Sequence, residues 1–211
     1  MRILVTAGPT REAIDPVRYL GNRSSGKMGY ALAKEALAAG HQVTLVSGPV
    51  DLPWPGGVQG VRVESAQEML EAVMMRQEDQ DAFILAAAVA DYRPRQASAV
   101  KVRKSSAPLT LELVPTPDIL AHLGHTRKIG QVLAGFCLDT GDPVPQARNK
   151  LSAKRCDLIL ANSVETLGSG MIQGTLVTAR GTVEPWPSLE KEEAARRLVK
   201  AVVAWSSHAT H

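Results

Sequence analysis

The 211-residue chain has little cysteine, few aromatic residues and no long apolar run, and each shortage excludes a class of protein. Its two cysteines, Cys137 and Cys156, lie far apart and form no C-x-x-C pair, so neither a disulfide framework nor a zinc knuckle is indicated. We predict two buried, reduced thiols. No apolar run approaches the roughly 18 residues needed to cross a bilayer, and the chain opens without a targeting segment. A cytoplasmic protein with no membrane partner is the expectation.

Histidines and basic residues are scattered along the chain. The five histidines, which include His208 and His211, show no spacing suited to a metal ion, so no metal site built by the protein is predicted. Aromatic residues make up 4% of the chain and do not alternate with basic ones as on nucleic-acid-binding surfaces, so no nucleic-acid partner is expected. The formal net charge of +3 is compatible with an anionic substrate.

The sequence contains a regular alternation of strand and helix patterns. Short β-branched and aliphatic runs predict strands over residues 2–6, 42–46, 58–64, 82–86, 132–137, 158–161 and 175–178. Helical spacing of apolar residues predicts helices over residues 28–36, 66–73, 118–123, 144–154 and 189–205. The alternation is typical of an α/β, Rossmann-like three-layer fold, in which helices cover both faces of an open, mainly parallel sheet. We expect one domain over residues 1–211, with residues 86–113 projecting as a flap or hairpin.

Ligands of such sheets bind beyond the carboxyl ends of the strands, so the loops that follow strands are the informative ones. The loop over residues 8–29 contains the segment Gly21-Asn22-Arg23-Ser24-Ser25-Gly26-Lys27-Met28. Its spacing is that of a P-loop, but Met28 stands where a Ser or Thr hydroxyl would bind Mg²⁺, so a P-loop hydrolase is not indicated. A glycine-containing turn at a helix start, surrounded by polar side chains, still favours anion binding through free backbone N–H groups.

A dinucleotide site is not indicated either. The G-x-G-x-x-G fingerprint is missing after the first strand, and no acidic residue follows the second strand where a ribose would be held. Tyr30 and Lys34 have the Y-x-x-x-K spacing of short-chain dehydrogenases, but they lie in the first helix, so we interpret that spacing as coincidence. An NAD(P)-dependent reductase stays only as an alternative.

Basic residues elsewhere are compatible with a polyanion. Lys150 and Lys154 stand four apart on a predicted helix, where like charges repel by roughly 0.2 to 0.5 kcal/mol. Either a bound polyanion or a solvated basic face explains that pair. Lys101, Arg103 and Lys104 lie in a Ser-rich loop, which either closes over phosphates or is an ordinary exposed loop.

Two further residues follow predicted strands. Asp91 ends a run of small residues that lets a flat base or a substrate approach the backbone closely. Its carboxylate suits a sugar hydroxyl, a base amine or Mg²⁺. Phe136 follows Gly135 and suits either stacking on a base or packing in the core.

Several unusual motifs together resemble the bacterial phosphopantothenate–cysteine ligase family. The resemblance runs from Met1 to Trp205, with the motifs in the family's order and at its separations. The motifs are Ala7-Gly8-Pro9-Thr10-Arg11-Glu12, Asp15-Pro16-Val17-Arg18-Tyr19, Asn22-Arg23-Ser24-Ser25-Gly26-Lys27-Met28-Gly29, Ala87-Ala88-Val89-Ala90-Asp91-Tyr92, Lys101-Val102-Arg103-Lys104, Thr116-Pro117-Asp118, Gly135-Phe136, Lys150 with Lys154, and residues 157–162.

The resemblance implies a two-step reaction. The carboxylate of 4′-phosphopantothenate attacks the α-phosphorus of CTP and releases pyrophosphate, and the amine of L-cysteine then displaces CMP from the acyl cytidylate. Asn22 matches the family residue that binds and polarises the acyl cytidylate, and Lys101 matches the loop lysine needed for the first step. Mg²⁺ would enter with the triphosphate. The implied nucleotide contacts are Gly8, Ser24, Ser25, Gly26, Leu85, Ala86, Ala87, Asp91, Pro117, Asp118, Ile119, Leu120, Phe136, Lys150 and Lys154.

The resemblance also implies a homodimer, and a flavin-dependent decarboxylase that is either separate or fused. The chain departs from the family pattern over residues 135–140, where an alanine pair and a glutamate are usual, and in having Arg103 inside the lysine motif. These departures leave ATP open as the nucleotide. A nucleotide-binding sensor is the alternative outside enzymes.

Overall fold

A central β-sheet organises the chain, and the computed structural model describes residues 1–163 and 169–207. Residues 208–211, which close the predicted domain and include His208 and His211, lie outside the described residues, as do residues 164–168. In the described residues, no helix combines the length and apolar character needed to span a membrane.

Eight strands form the main sheet, in the order β12-β11-β10-β9-β6-β1-β4-β5. The strands of the described residues are β1 (Arg2–Ala7), β2 (Arg11–Ala13), β3 (Tyr19–Gly21), β4 (Gln42–Ser47), β5 (Gln59–Arg62), β6 (Ala82–Leu85), β7 (Tyr92–Pro94), β8 (Leu113–Pro115), β9 (Val132–Asp139), β10 (Leu158–Ser163), β11 (Met171–Thr178) and β12 (Val183–Glu190). The six strands from β5 to β10 across the sheet are parallel, whereas β11 and β12 are antiparallel. Counted along the chain, the parallel strands stand in the Rossmann order 3-2-1-4-5-6.

Helices cover both faces of this sheet, so the predicted fold class is confirmed. They are α1 (Lys27–Ala38), α2 (Ala66–Met74), α3 (Ile119–Thr126), α4 (Pro143–Ala153) and α5 (Lys191–Ser207), with a 3₁₀ turn at Gln77–Asp79. The alternation of side chains along a strand divides the core. In β1, Ile3 and Val5 pack in the cluster that contains α1 and α5, whereas Leu4 packs in the cluster that contains α2, α3 and α4.

The last strand of the sheet, β12, was not predicted. It contains Pro185 and Pro187, which lack a backbone N–H and argue against a central strand. The strand lies at the edge of the sheet, where proline is tolerated, and the final helix accordingly begins at Lys191 and not at Leu189. Strand β11 pairs with β12 along its length and therefore begins at Met171, four residues before the predicted start.

Two small hairpins lie within the loops that were expected to carry function. Strands β2 and β3 pair inside the loop over residues 8–29. Strands β7 and β8 pair at the base of the predicted flap, and residues 95–112 between them form the segment that we call the flap. The expected hairpin is thus present, but it ends at Pro115, two residues beyond the predicted bounds of 86–113.

Both cysteines are free and buried, as predicted. Cys156 lies at the end of α4, where burial raises the pKa of its thiol to about 12. A thiol with that pKa is uncharged at neutral pH and behaves as a small apolar side chain.

Candidate functional site

A cavity of about 640 Å³ lies beyond the carboxyl ends of the central parallel strands. It spans the junction of β1 and β6, where the strand order of a Rossmann sheet reverses and ligands bind. Its wall contains Thr6, residues 22–29, residues 85–91, residues 115–120, Phe136, Leu138, Lys150, Lys154, Asn162, Ile172 and Lys191. All the residues predicted to bind or act, except Gly8 and Lys101, therefore contribute to one wall.

The start of α1 forms one side of the cavity. Gly26 precedes the helix with φ of 74°, a left-handed conformation that glycine adopts readily, and no described side chain caps the helix. A Cβ on Gly26 would lie 2.8 Å from Cγ1 of Val50 and 3.4 Å from Cα of Gly8. Gly8 is therefore not a wall residue; it lies behind Gly26 and lets the turn sit close against the sheet. The first N–H groups of a helix have no partner within it and point out of its start. The start of α1 borders the cavity, so these groups can bind an anion there.

Asn22 is held against the loop that follows β6. Its Nδ2 donates hydrogen bonds to the carbonyl oxygens of Ala88, at 3.3 Å, and Val89, at 2.8 Å. The same loop is fixed from below, because the Ala90 N–H donates to Oγ1 of Thr10 at 2.9 Å. Asn22 and the loop over residues 86–91 thus form one connected part of the wall.

Lys150 of α4 and Lys154, the first residue after that helix, face the cavity from the opposite side and are only partly exposed, which decides against a solvated basic face. The Nζ of Lys150 donates to the carbonyl oxygen of Phe136 at 2.6 Å, and the Nζ of Lys154 pairs with Oδ2 of Asp118 at 2.6 Å. Burial, and then the charge of Lys154, lower the pKa of Lys150. Burial alone would raise the pKa of Asp118, but its hydrogen bonds from Lys154 and from the Ala121 N–H lower it. Asp118 therefore stays ionised while it caps α3.

The remaining predicted residues form an apolar slot between the two charged sides. Phe136 is half-buried, lines the slot and packs against the core, while its stacking on a base stays a prediction. Asp91 is exposed at the rim. The other slot residues are Leu85, Ala86, Ala87, Pro117, Ile119 and Leu120. A flat ring fits between small side chains of this kind.

Lys101 does not line the cavity. It lies in the flap, where it is exposed and follows the stretch that Ser98 anchors to the carbonyl oxygen of Ile14 at 2.9 Å. The apolar side chains of the flap, such as Val100 and Leu109, are exposed, so its main chain is held by hydrogen bonds to the turn between β2 and β3 and not by packing. The predicted role of Lys101 in the first step therefore stays a prediction.

Lys191 is a wall residue that sequence reasoning missed. It is the first residue of α5, is 8% exposed, and donates from Nζ to the carbonyl oxygen of Ser169 at 2.6 Å. Burial, and then the charge of Lys27, lower the pKa of its ammonium. A lysine at a helix start opposes the helix dipole, and Lys27 has the same position in α1. The sequence did not indicate this pair, because the last helix was predicted to begin at Leu189 and not at Lys191.

Charge on the described wall is predominantly positive. Five basic side chains, those of Arg23, Lys27, Lys150, Lys154 and Lys191, face two acidic ones, those of Asp91 and Asp118. One of the acidic groups is already paired with Lys154. Clefts lined by one sign of charge attract ligands of the opposite sign, so the cavity suits a polyanion that carries a flat apolar group. The described residues contain no group of three or more His, Cys, Asp or Glu side chains that would hold a metal ion.

The sheet order and the cavity at its reversal point define the chain as an α/β domain with a Rossmann-like fold. Its particular family follows from comparison with known proteins. The model of the DNA/pantothenate metabolism flavoprotein C-terminal domain matches residues 1–205, and the chain belongs to that family.

Similar proteins agree with this assignment. The coenzyme A biosynthesis bifunctional protein CoaBC of Vibrio vulnificus is 51% identical over 170 residues, which are 80% of this chain and 42% of that protein. The CoaBC of Bacillus subtilis is 42% identical over 209 residues, 97% of this chain and 51% of that protein. A crystal structure of the C-terminal domain of CoaBC has a TM-score of 0.86 at 42% identity and covers 98% of this chain and 96% of that one. The chain spans about half or less of the length of these two full-length relatives.

Proposed function

We propose that this chain joins 4′-phosphopantothenate to L-cysteine at the expense of CTP, as one step of coenzyme A biosynthesis. Family membership and the likeness to the C-terminal domain of CoaBC support the pathway. The observation that carries the proposal is the cavity itself, because residues of most of the ligase motifs meet there on one basic wall although they are far apart in sequence.

The proposed reaction has two steps. In the first, a carboxylate oxygen of 4′-phosphopantothenate bonds to the α-phosphorus of CTP, and the bond from that phosphorus to pyrophosphate breaks. In the second, the amine of cysteine bonds to the acyl carbon, CMP leaves and the amine loses a proton. Activation turns the carboxylate's oxygen into a good leaving group, which is why the nucleotide is needed for an amide bond.

Each side of the cavity has a proposed task. The start of α1, with Ser24, Ser25 and Gly26, binds phosphate oxygens through N–H and hydroxyl groups. Lys150 and Lys154 neutralise the triphosphate from α4. The slot around Phe136 holds the base, and Asn22, fixed by its bonds to the loop after β6, orients the acyl cytidylate for cysteine.

Mg²⁺ fits this arrangement as an ion that arrives with the nucleotide. The wall offers one carboxylate, that of Asp91, which is not engaged by a lysine. Mg²⁺ commonly binds through one or two carboxylates together with phosphate oxygens and water, and it supplies charge neutralisation of the triphosphate when bound. Asp91 is the residue that we propose to hold it.

A homodimer is proposed from the apolar side chains that the two hairpins expose. Val17 and Tyr19 on or next to β3, and Tyr92 and Leu113 on the base of the flap, are between 43% and 60% exposed. Hairpin β2–β3 and strand β7 are in contact, so these side chains belong to neighbouring elements. Sedimentation equilibrium of the wild type and of Tyr92→Asp checks this proposal; a monomeric wild type contradicts it.

The relatives are named as bifunctional proteins, and this chain matches about half or less of each. We propose that a flavin-dependent decarboxylase, on a separate polypeptide or on a segment outside this sequence, acts on the product.

The experiment that tests the function uses purified protein with CTP, Mg²⁺ and 4′-phosphopantothenate, with and without cysteine. Pyrophosphate, CMP and the amide are followed by mass spectrometry, and the series is repeated with ATP. The proposal expects an amide that requires cysteine and forms faster with CTP than with ATP. Binding of CTP without any pyrophosphate release would favour a nucleotide sensor, and faster reaction with ATP would overturn the assigned nucleotide.

A further inference from the structure

The carboxylate of Asp15 is buried in the turn between β2 and β3, although both strands are short and mostly exposed. The residue is 3% exposed. Its Oδ1 accepts hydrogen bonds from the N–H groups of Val17 and Arg18, each at 2.9 Å. These bonds alone would be an ordinary turn, in which an aspartate binds the backbone that follows it.

Oδ2 of the same carboxylate reaches a different part of the chain. It accepts from Nε of Arg18 at 3.0 Å and from the main-chain N–H of Val102 at 3.1 Å. Nη2 of Arg18 in turn donates to the carbonyl oxygen of Val102 at 2.6 Å. Both main-chain polar groups of one flap residue are therefore bound by two side chains of the turn, separated by 84 and 87 positions in sequence.

The position of this clamp, which we define as Asp15 with Arg18, connects the two residues expected to act in the reaction. Lys101 immediately precedes the clamped residue Val102, and Asn22 follows Arg18 by four positions through strand β3. A second tie, from the Ser98 N–H to the carbonyl oxygen of Ile14, fixes the flap on the other side of Lys101.

We propose that Asp15 is a positioning residue, which with Arg18 fixes the flap at Val102 and so sets where Lys101 stands relative to Asn22 during activation of the carboxylate. The proposal rests on the proposed function for its catalytic part. Hydrogen bonds to a charged group are among the stronger ones in proteins, which suits a segment whose apolar side chains are exposed.

Proteolysis tests the clamp without reference to activity. Trypsin cleavage after Arg103 and Lys104 is followed by mass spectrometry under native conditions for the wild type and Asp15→Asn, with thermal unfolding measured alongside. We expect cleavage about tenfold faster in the variant, the factor that corresponds to one hydrogen bond to a charged group. Glu112→Gln, which removes the exposed ion pair with Arg95 in the same flap, is the matched control and should cleave at the wild-type rate.

A second variant covers the case in which Asp15→Asn does not fold. Val102→Pro removes the N–H that the carboxylate binds and leaves the turn of Asp15 intact, although it also fixes φ at position 102. It should show the same faster cleavage after Arg103 and Lys104. Wild-type cleavage rates in Val102→Pro and in a folded Asp15→Asn would overturn the clamp.

A double-mutant cycle separates positioning from general support of the fold. Pyrophosphate release is measured without cysteine for Asp15→Asn, for Lys101→Arg, which keeps the positive charge and so a measurable rate, and for the double variant. We expect Asp15→Asn to lower kcat about tenfold with KM for CTP within about twofold, and to have little further effect when Lys101 is already replaced. Additive losses would overturn the positioning role. If the wild type releases no pyrophosphate, the proposed function and the catalytic part of this proposal both fail, while proteolysis still decides whether Asp15 fixes the flap.

Discussion

The Nζ of Lys150 and the carbonyl oxygen of Phe136 are joined by a hydrogen bond of 2.6 Å, which links the basic helix α4 to the strand that carries the aromatic ring. A lysine ammonium has three donors, so Lys150 keeps donors for a ligand while its position is fixed by the sheet. The phosphate side and the base side of the cavity are thus held at a constant separation.

Replacing Lys150 by methionine should weaken CTP binding without destabilising the fold. The loss of one charge-assisted hydrogen bond corresponds to about a tenfold higher Kd, whereas removal of a buried ammonium, with its pKa lowered by burial, relieves a desolvation cost. Titration calorimetry with CTP and urea unfolding measure the two effects. Arg148→Met, an exposed change on the same helix, is the control, and equal CTP affinity in both variants would contradict the assigned role.

Lys191, at the start of α5, should contribute to nucleotide binding from another part of the cavity wall than Lys150. We expect Lys191→Met to raise the Kd for CTP by about tenfold at low salt and by less at high salt, because the interaction is electrostatic. Lys200→Met, which changes an exposed lysine of the same helix, controls for net charge. An affinity loss of the same size in the control, or none in Lys191→Met, would show that the buried lysine only ties α5 to Ser169.

Asp118 has two contacts that substitution can separate. Asp118→Asn keeps a capping oxygen for the Ala121 N–H and loses the ion pair with Lys154, so the free energy of unfolding should change by only a few tenths of a kcal/mol. Asp118→Ala loses the cap as well and should cost about 1 kcal/mol. Urea denaturation of both variants checks the difference; equal stabilities would mean that the cap contributes nothing.

Acid should reduce the stability that the ionised Asp15 contributes. The Arg18 guanidinium, together with the N–H groups of Val17, Arg18 and Val102, holds the pKa of this carboxyl well below its ordinary value of 3.8, against the opposing effect of burial. A carboxyl whose pKa is lowered in the folded state stabilises the protein fully at a pH above its ordinary pKa. This stabilisation is lost as the pH falls from the ordinary pKa towards the folded-state pKa. The difference in Tm between the wild type and Asp15→Asn should therefore be constant from pH 7 to about pH 5 and shrink towards pH 3. A difference that stays constant to pH 3 would contradict the assignment.

The sequence predicted the parts of the fold that depend on hydrophobic pattern. A short buried run such as that over Arg2–Ala7 is readily identified as a strand, and the alternation of such strands with helices predicts a mainly parallel sheet. Strand β12 was missed because its prolines are acceptable only at an edge, and being an edge strand is a property of the whole sheet. Lys191 was missed for a similar reason: helix α5 reaches the cavity only through its packing beside α1.

Predicted site residues fared best where they follow parallel strands, since the strand ends meet at one edge of the sheet. Asp91, in the loop after β6, is one example and lines the cavity. Phe136 lies within β9, but it comes directly after Gly135, which pairs with the last residue of β6, so it too lines the cavity. Gly8 and Lys101 are not in the wall, for different reasons. Gly8 acts through its lack of a side chain behind Gly26, and Lys101 lies on the flap, whose position depends on hydrogen bonds across long sequence separations.

The most direct test of the central claim compares Asn22→Asp and Lys101→Gln with the wild type, each incubated with CTP, Mg²⁺, 4′-phosphopantothenate and cysteine. Mass spectrometry then looks for the acyl cytidylate of 4′-phosphopantothenate. The account predicts that Asn22→Asp accumulates this intermediate with little amide, that Lys101→Gln forms neither, and that the wild type forms the amide. Full amide formation by both variants would contradict the assigned roles, and absence of the intermediate and of the amide from every sample would contradict the proposed reaction.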